Sequence, residues 1–522
     1  MKLFKFKILF VTFFLLFCSD VSISQYALEW TRRYPESGPN SAFLSNMTLD
    51  KNENLFLIGG GLTLKYASNG SLDWTLYDSS TFVNYTSVSS DLTTDDSGNV
   101  FVTGTATNNP FDLDFLTKKI STSGIRLWSN TYGNSHGASD RSSGIINFRN
   151  KFIFVAGSES YGDSAGSCNF KWTVIKYDLY GNPLMNIQFC GISDYVLGDY
   201  APVPSMAIDS SGNIIISGSD KDILTFNNQL VTIKYDSTGN LLWLRRLDNV
   251  YPAYAVAADA NSNIFVGIDG GILKYDDDGD LIWSDYSHSS DFIAFDSIGN
   301  LVTSGDKQVN NVYRIVTSKY DTSGNLIWSS ETNTGFYIAS MCLNKNGKAF
   351  IAANGRGNFY GMYHMFIYDI NGSLIWNGSY DDQVDTLSIP VKIAADEYDN
   401  FYITGRSYGI GVWARFLTLK YSKITNIVNT VSNFPNEFKL HNNYPNPFNP
   451  TTNLEFGISE LGFVTLKVYD VSGKEVMTLV NEQKAPGYYT VSFNGANLSS
   501  GIYFYSIKAG DFVSTKKMTL LK

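Results

Sequence analysis

Residues 234–243 read Lys-Tyr-Asp-Ser-Thr-Gly-Asn-Leu-Leu-Trp, and near copies of this stretch recur along most of the chain. They stand at residues 65–74, 274–283 and 319–328, with looser versions at 119–128, 176–185 and 368–376. Recurrence at a spacing of roughly 40 to 58 residues confines the chain to repeat architectures, because one such unit cannot bury its apolar face alone. Each unit divides into four runs. A short apolar run ends in Asp (206–209), and a Gly-Asn turn leads into a β-branched run closed by Gly (213–218). After a variable loop come Thr-x-Lys-Tyr-Asp (232–236) and Gly-Asn-Leu-x-Trp (239–243). Period-two alternation with Gly and Asn at the breaks reads as antiparallel strands joined by tight turns. No segment of this region carries a helical period.

The second run occurs eight times, at 54–59, 99–104, 151–157, 213–218, 263–267, 300–305, 347–353 and 400–405. The fourth run occurs only seven times, ending at Trp74, Trp128, Met185, Trp243, Trp283, Trp328 and Trp376. Its missing eighth copy lies at the other end of the chain, where Leu28, Glu29, Trp30 and Thr31 match Leu72, Asp73, Trp74 and Thr75. A sheet assembled from both ends of the chain leaves a ring with no open edge. The expected fold is therefore all-β: an eight-bladed β-propeller over residues 25–421, with seven blades as the alternative, closed by an N-terminal strand.

The repeated side chains have structural work to do. Each Trp can bury about 150–250 Å² and serves as a wedge between blades. The Asp after Tyr, as in Asp178, Asp236, Asp276 and Asp321, is placed to accept backbone N–H groups across its own turn. Asp276, Asp277, Asp278, Gly279 and Asp280 resemble a calcium loop at first sight, but the glycine falls at the wrong position for an EF-hand and the hairpin register accounts for the cluster.

The unit resembles the bacterial beta-propeller repeat family, with its Gly-Asn-x-Tyr-Val-Thr-Gly and Tyr-Asp-x-x-Gly-Asn-x-x-Trp signatures, and this resemblance covers nearly every unit. The docking segment alone is similar to the tryptophan-docking motif of the eight-bladed quinoprotein dehydrogenases. That second resemblance implies an adjacent cysteine pair and a catalytic Asp with calcium ligands, and the sequence holds no Cys-Cys.

Charge and chemistry narrow the function classes. With 39 basic and 49 acidic side chains the net charge is −10, which does not fit a nucleic-acid partner. The four histidines, His136, His288, His364 and His441, lack metal-ligand spacing, and no nucleophile stands out beside a base. No catalytic residue, metal or cofactor is expected. The longest loops, 105–112, 158–169 and 354–364, are the first places to seek a glycan or protein ligand. Tyr161, Phe359, Tyr360 and Tyr363 there could stack on sugar rings, though packing within the loops explains them as well.

At the N-terminus, Lys2, Lys5 and Lys7 precede an apolar run over 8–17 and small residues at Ser22 and Ser24. This reads as a secretory signal peptide over 1–24. Three cysteines follow it, Cys168, Cys190 and Cys342, so at least one is unpaired. Cys168 and Cys190 flank the hairpin turn at 178–181 almost symmetrically, which suits a disulfide in an oxidising compartment; two buried thiols are the alternative.

Residues 422–437 form a Ser/Thr/Asn linker, and 438–522 carry six or seven short alternating strands, as expected of a small Ig-like β-sandwich. The segment opens with Tyr444, Pro445, Asn446, Pro447, Phe448, Asn449 and Pro450, whose prolines impose an extended path. Further on stand Tyr469 and Asp470 with Gly473, Gly501 with Tyr503, and a terminal stretch from Lys517 to Lys522. In this order these residues closely resemble the type A C-terminal sorting domain of the type IX secretion system. The resemblance implies passage across the outer membrane of a Bacteroidetes-type cell by the type IX machinery, then removal of the domain. Release, or attachment to surface lipopolysaccharide, would follow.

The combined expectation is a secreted or cell-surface propeller acting as a binding or scaffold module. A polysaccharide-acting or quinone-dependent enzyme on the same ring is the alternative. Alkylation of the unreduced, denatured mature protein should label Cys342 alone; labelling of Cys168 and Cys190 as well would replace the disulfide with two thiols.

Overall fold

A computed structural model describes residues 26–34, 44–77, 91–109, 112–133, 140–160, 170–191, 204–221, 228–250, 253–310, 312–332, 335–355, 361–382, 384, 387–409, 412–424, 438–459, 462–484 and 487–522. The signal peptide and linker expected at 1–24 and 422–437 fall outside these residues except for 422–424. The chain forms two compact units, Met1–Ile424 and Thr425–Lys522. The described residues are strands and turns without a helix.

Within the first unit the described residues form eight four-stranded antiparallel sheets. One comprises Ser205–Ile208, Ile214–Lys221, Asn228–Tyr235 and Leu241–Asp248 in spatial as well as chain order. The first strand of each sheet touches the first strand of the next in a closed circuit, from Leu44–Leu49 round to Leu387–Ala395 and back. This is the arrangement of a β-propeller. The last sheet takes its outer strand from the other end of the chain: Tyr26–Tyr34 pairs antiparallel with Val412–Lys423, from Tyr26 opposite Lys423 to Tyr34 opposite Phe416. That pairing carries the strand past Tyr421, where the sequence pattern stops.

Second and third strands are mostly buried because neighbouring sheets cover both of their faces, wholly so in Leu55–Gly59 and Leu62–Tyr66. Outer strands alternate exposed and half-buried residues. The sheets share no backbone ladder; isolated backbone bonds cross between them, such as Ser290 N–H to the Ile268 carbonyl and Ser388 N–H to the Gly361 carbonyl, and the repeated motif supplies the regular joint. The indole N–H groups of Trp74, Trp128, Trp243 and Trp328 donate to the carbonyls of Thr122, Leu179, Asp277 and Ile370 in the next sheet's turn, at 2.8–3.0 Å. Each ring lies on a glycine of that turn. A Cβ added to Gly124, Gly181, Gly279 or Gly372 would come within 2.8 Å of the indole, so only glycine fits.

The repeated Lys reaches the same junction. Lys234, fully buried, pairs with Asp209 of its own sheet at 3.1 Å and with Asp277 of the next. Lys65, Lys176 and Lys274 donate to turn carbonyls of Thr122, Ser237 and Thr322. A buried ammonium is tolerated only with such partners. Trp376 has no turn to meet, because the strands beyond it come from opposite chain ends. It packs instead on Tyr26, Phe401 and Tyr421.

Every sheet also carries at least one turn stapled by an acid and three sheets carry two; Ser121 and Asn344 take the acid's place in other turns. Asp236 accepts the backbone N–H groups of Thr238 and Asn240 at 2.8 and 2.9 Å, and the Asn240 amide at 2.8 Å. Asp209, Asp296 and Asp396 repeat the arrangement with Asn213, Asn300 and Asn400.

The second unit packs a three-stranded sheet, Lys439–Leu440, Thr451–Ile458 and Gly487–Asn494, with a four-stranded one, forming an Ig-like sandwich. The four-stranded sheet runs Glu475–Lys484, Gly462–Tyr469, Gly501–Ala509 and Phe512–Leu520. Inward-facing Leu454, Phe456, Leu466, Phe493, Tyr505 and Leu520 are wholly buried. Glu475–Lys484 is an edge strand, paired on one side with Gly462–Tyr469.

Gly270 and Gly279 both have left-handed backbone, at φ +79° and +83°, but only Gly279 abuts an indole. Gly270→Ala should cost about 1–2 kcal/mol from backbone strain. Gly279→Ala should cost a further ~1–3 kcal/mol from overpacking against Trp243. Equal urea midpoints for the two variants would refute the docking.

The turn acids also set a pH dependence. Side-chain hydrogen bonds from Asn182 and Asn325 hold Asp178 and Asp321 below the ordinary aspartate range, and those from Thr238 and Asn240 do so for Asp236. Lowered folded values mean stability that is present above the unfolded value, about 3.9, and is lost as pH falls toward the folded values. Thermal midpoints should therefore fall as pH drops from about 4 toward 2, and Asp236→Asn should flatten that fall.

Candidate functional site

Successive connections in an antiparallel sheet alternate ends, so the first and third connections of every sheet share one end of the ring. These are short turns, most of them stapled by Asp, Asn or Ser, so that end varies little. The second connection and the link to the next sheet share the opposite end, and there the units differ. The second connection runs from residues 60–61 in one sheet to 161–169 in another. Ligand-specific variation has room only at this second end and in the channel.

Within the channel a cavity of about 620 Å³ is lined by the first strands of five consecutive sheets, with Asp91, Ile145, Ser205, Met206, Tyr254 and Ile293 among its walls. Asp91 binds together three sheets. It accepts the Asn46 amide at 2.7 Å and its neighbour Leu92 N–H at 2.9 Å on one oxygen, and the Ile145 N–H at 3.0 Å on the other. Burial pushes its carboxyl above the ordinary range, against the pull of the Ile145 hydrogen bond and the Lys392 charge. A Cβ on Gly144 would find only the second Asp91 oxygen nearby, at 3.7 Å, so that oxygen borders open space. Burial raises the Tyr254 hydroxyl too, helped by Asp269, Asp291 and Asp306. The channel wall thus sets a buried carboxyl and a tyrosine hydroxyl beside apolar surface.

None of these channel residues stands out in the sequence singly, yet their positions carry a signal. Asn46, Asp91, Ser205 and Lys392 each lie four residues before the acid of the first turn, Asp50, Asp95, Asp209 and Asp396. Aligning the units on that acid exposes this level of the ring as the one where charge varies.

The sites expected from sequence divide. Residues 105–112 are not a long loop: Val100–Asn109 and Asp112–Ile120 pair through Thr105 opposite Phe115 and Thr107 opposite Leu113. Polar residues there hid a hairpin extension. Tyr363 is core and not a surface ring, wholly buried with its hydroxyl donating to the Leu417 carbonyl at 3.0 Å. Tyr161, Phe359 and Tyr360 lie outside the described residues, as do His136 and Cys168. Cys190 is disulfide-bonded and Cys342 is a free thiol whose burial pushes it up to about 12.

The acidic cluster serves the neighbouring sheet. The Asp276 carboxylate accepts the Asp280 N–H at 2.7 Å, Asp277 pairs with Lys234, and the Asp278 carbonyl accepts Arg245 at 3.0 Å. No group of three or more metal-ligating side chains is assembled among the described residues. His288 and His364 are separately buried, against Ser287 and Thr303 in one case and Ser379 in the other.

In the second unit the motif residues from the two ends of the domain come together. The Phe448 ring is buried, and its backbone donates to the Thr519 carbonyl and accepts the Leu521 N–H, both at 3.0 Å, forming a parallel bridge to the final strand. The Asn446 side chain accepts the Thr519 N–H at 2.9 Å. Pro445 presents its carbonyl to Thr452 at 2.7 Å. Lys522 closes the end by donating to Ala496 and Ser500, and the Tyr503 hydroxyl donates to Ser499. Asp470 and Gly473 form another acid-stapled turn. Tyr444, Pro447, Asn449, Pro450, Gly501 and Lys517 are exposed, and Tyr469 is half-buried.

Residues 442–520 match the family model for the secretion system C-terminal sorting domain. This domain is a type IX sorting module, and it directs the protein to the cell surface or the extracellular space. No curated protein matches the chain. Among solved structures, the WD40 domain of Neurospora crassa Pan2 is similar at 10% identity over 78% of this chain and 98% of its own, with a TM-score of 0.37. The polysaccharide lyase Uly1 aligns at 10% identity over 77% of this chain and 100% of its own, TM-score 0.40. PorZ, a surface component of the type IX secretion system of Porphyromonas gingivalis, aligns at 11% identity over 94% of this chain and 83% of its own, TM-score 0.23. At these scores the likenesses carry no argument about ligand or activity.

Proposed function

We propose that this protein is an eight-bladed propeller that works outside the cell as a binding module, delivered there by its own sorting domain. One observation carries the reading: the two ends of the ring are built differently. At one end the connections are short turns, most of them stapled and several holding a docked tryptophan. At the other, the connections vary from unit to unit around a channel whose wall carries Asp91, Ser205 and Tyr254. A catalytic machine would be expected to gather nucleophile, acid and base at one point; a recognition surface needs only shape and varied polar groups.

The sorting domain would engage the type IX machinery through the face where the 444–450 segment and the last strand meet, and would then be removed. The propeller is left released or attached to surface lipopolysaccharide. The signal peptide over 1–24 provides the first export step, and a Cys168–Cys190 disulfide suits the oxidising route.

Deleting residues 517–522 removes the strand to which Asn446 and Phe448 are bonded. The truncated protein should accumulate in the periplasm with its propeller intact, as judged by fractionation and protease resistance of the ring. Undiminished appearance at the cell surface or in the medium would refute the sorting role.

A further inference from the structure

Outer strands meet the next sheet through two positions beyond the docking residue, and these positions vary. The residue two places on donates to the carbonyl of the next sheet's turn glycine: Arg32 to Gly70 at 2.5 Å, Arg245 to Gly279 at 2.7 Å, Ser330 to Gly372 at 2.6 Å. The residue four places on is Tyr34, Tyr132, Phe189, Leu247 or Tyr380 at five junctions, where it packs against the core, and Ser287 beyond Trp283. Tyr132 illustrates the packing, its hydroxyl accepting Asn186 and Gln188 of the next sheet at 2.7 and 3.0 Å. Between the sheet of Leu326–Glu331 and that of Leu374–Tyr380 the two positions are Ser330 and Thr332. The volume left by these small side chains is a cavity of about 580 Å³, within the roughly 300–1,000 Å³ of small-ligand sites.

The floor of this cavity is aromatic. Phe336 lies 4.8 Å from the His364 ring and 5.3 Å from Phe366, centroid to centroid. The lip is polar, with Glu331, Asn377 and Ser379 on it. The rim charges are paired with one another, Glu331 with Lys307 at 3.0 Å and with Arg314 at 3.2 Å. Aromatic faces below, neutral amide and hydroxyl groups above, and ion-paired charges at the edge match a molecule with an apolar C–H face and a rim of hydroxyls. A phosphate or sulfate would have to displace Glu331 from its cations.

We propose that the junction emptied by Ser330 and Thr332 is a binding site for a neutral saccharide, seated on Phe336 and Phe366. The site rests on the reading of the propeller as a binding module and deepens it. It lies between sheets, apart from the channel.

Ser330→Arg tests the assignment with a side chain the fold already accepts: Arg32 and Arg245 occupy the same position at other junctions and bond the same carbonyl. The purified full chain, Ser330→Arg and Phe336→Leu are titrated calorimetrically with neutral hexasaccharides of β-linked glucose and mannose, and with a sulfated hexasaccharide. The wild-type protein should bind at least one neutral probe. Ser330→Arg should weaken it at least about tenfold, about 1.4 kcal/mol, with an unchanged thermal midpoint, and Phe336→Leu should weaken it too. If Ser330→Arg fails to fold, Phe336→Leu decides. No binding of neutral probes, or binding of the sulfated one only, overturns the assignment. Equal binding by wild type and both variants moves the ligand to the channel or loops, leaving the binding-module reading standing while the junction site falls.

Discussion

An indole laid on a left-handed glycine is the contact on which the rest of this ring depends. The strand ladders are internal to each sheet, so no ladder dictates how one sheet stands against the next. The Trp243 ring on Gly279, with its N–H on the Asp277 carbonyl, supplies that missing instruction. Lys234 reinforces it, since a buried ammonium between Asp209 and Asp277 is stable only while both sheets are in place. The same geometry explains the exception. Trp376 faces a sheet closed by the two chain ends, where no turn exists, and it settles among Tyr26, Phe401 and Tyr421.

Docking of this kind uses up one end of the ring. Turns that must carry a stapling side chain, a left-handed glycine and a carbonyl aimed at an indole have little freedom to acquire a ligand. The opposite end and the inner strands are under no such requirement. Variation therefore collects there: Asp91 draws Asn46 and Ile145 into one polar node, while Ser205 stands at the corresponding level two sheets further round. The junction at Ser330 and Thr332 is a second escape from the pattern, since docking fixes the lower half of each junction and leaves the upper half to whatever side chains stand there.

The C-terminal sandwich follows a different rule. Its sorting residues are far apart in sequence, yet Phe448 and Asn446 hold the strand that ends at Leu520. An extended, proline-rich segment cannot join a sheet as an ordinary strand, because proline lacks the donor. It can lie along the edge of the last strand and offer the remaining groups, which is the part Asn446 and Phe448 play.

The sequence alone determined the repeat, the strand content of each unit, the displaced N-terminal strand around Trp30 and the sorting tail. These are legible because they rest on local chemistry repeated many times: period-two alternation, Asp and Asn at turns, glycine where φ is positive. Tertiary structure alone decided which residues share a cavity. Asp91, Asn46 and Ile145 are up to 99 residues apart and meet only because the ring places inner strands side by side. Residues 105–112 were misread as a loop, since Thr and Asn are neutral about pairing until a partner strand lies alongside. Of the two roles open to Tyr363 in the sequence, packing holds, since burial of a tyrosine depends on an acceptor, the Leu417 carbonyl, that no local pattern announces. Periodicity reports what a residue does to its own strand; what it meets across a junction is set by closure of the ring.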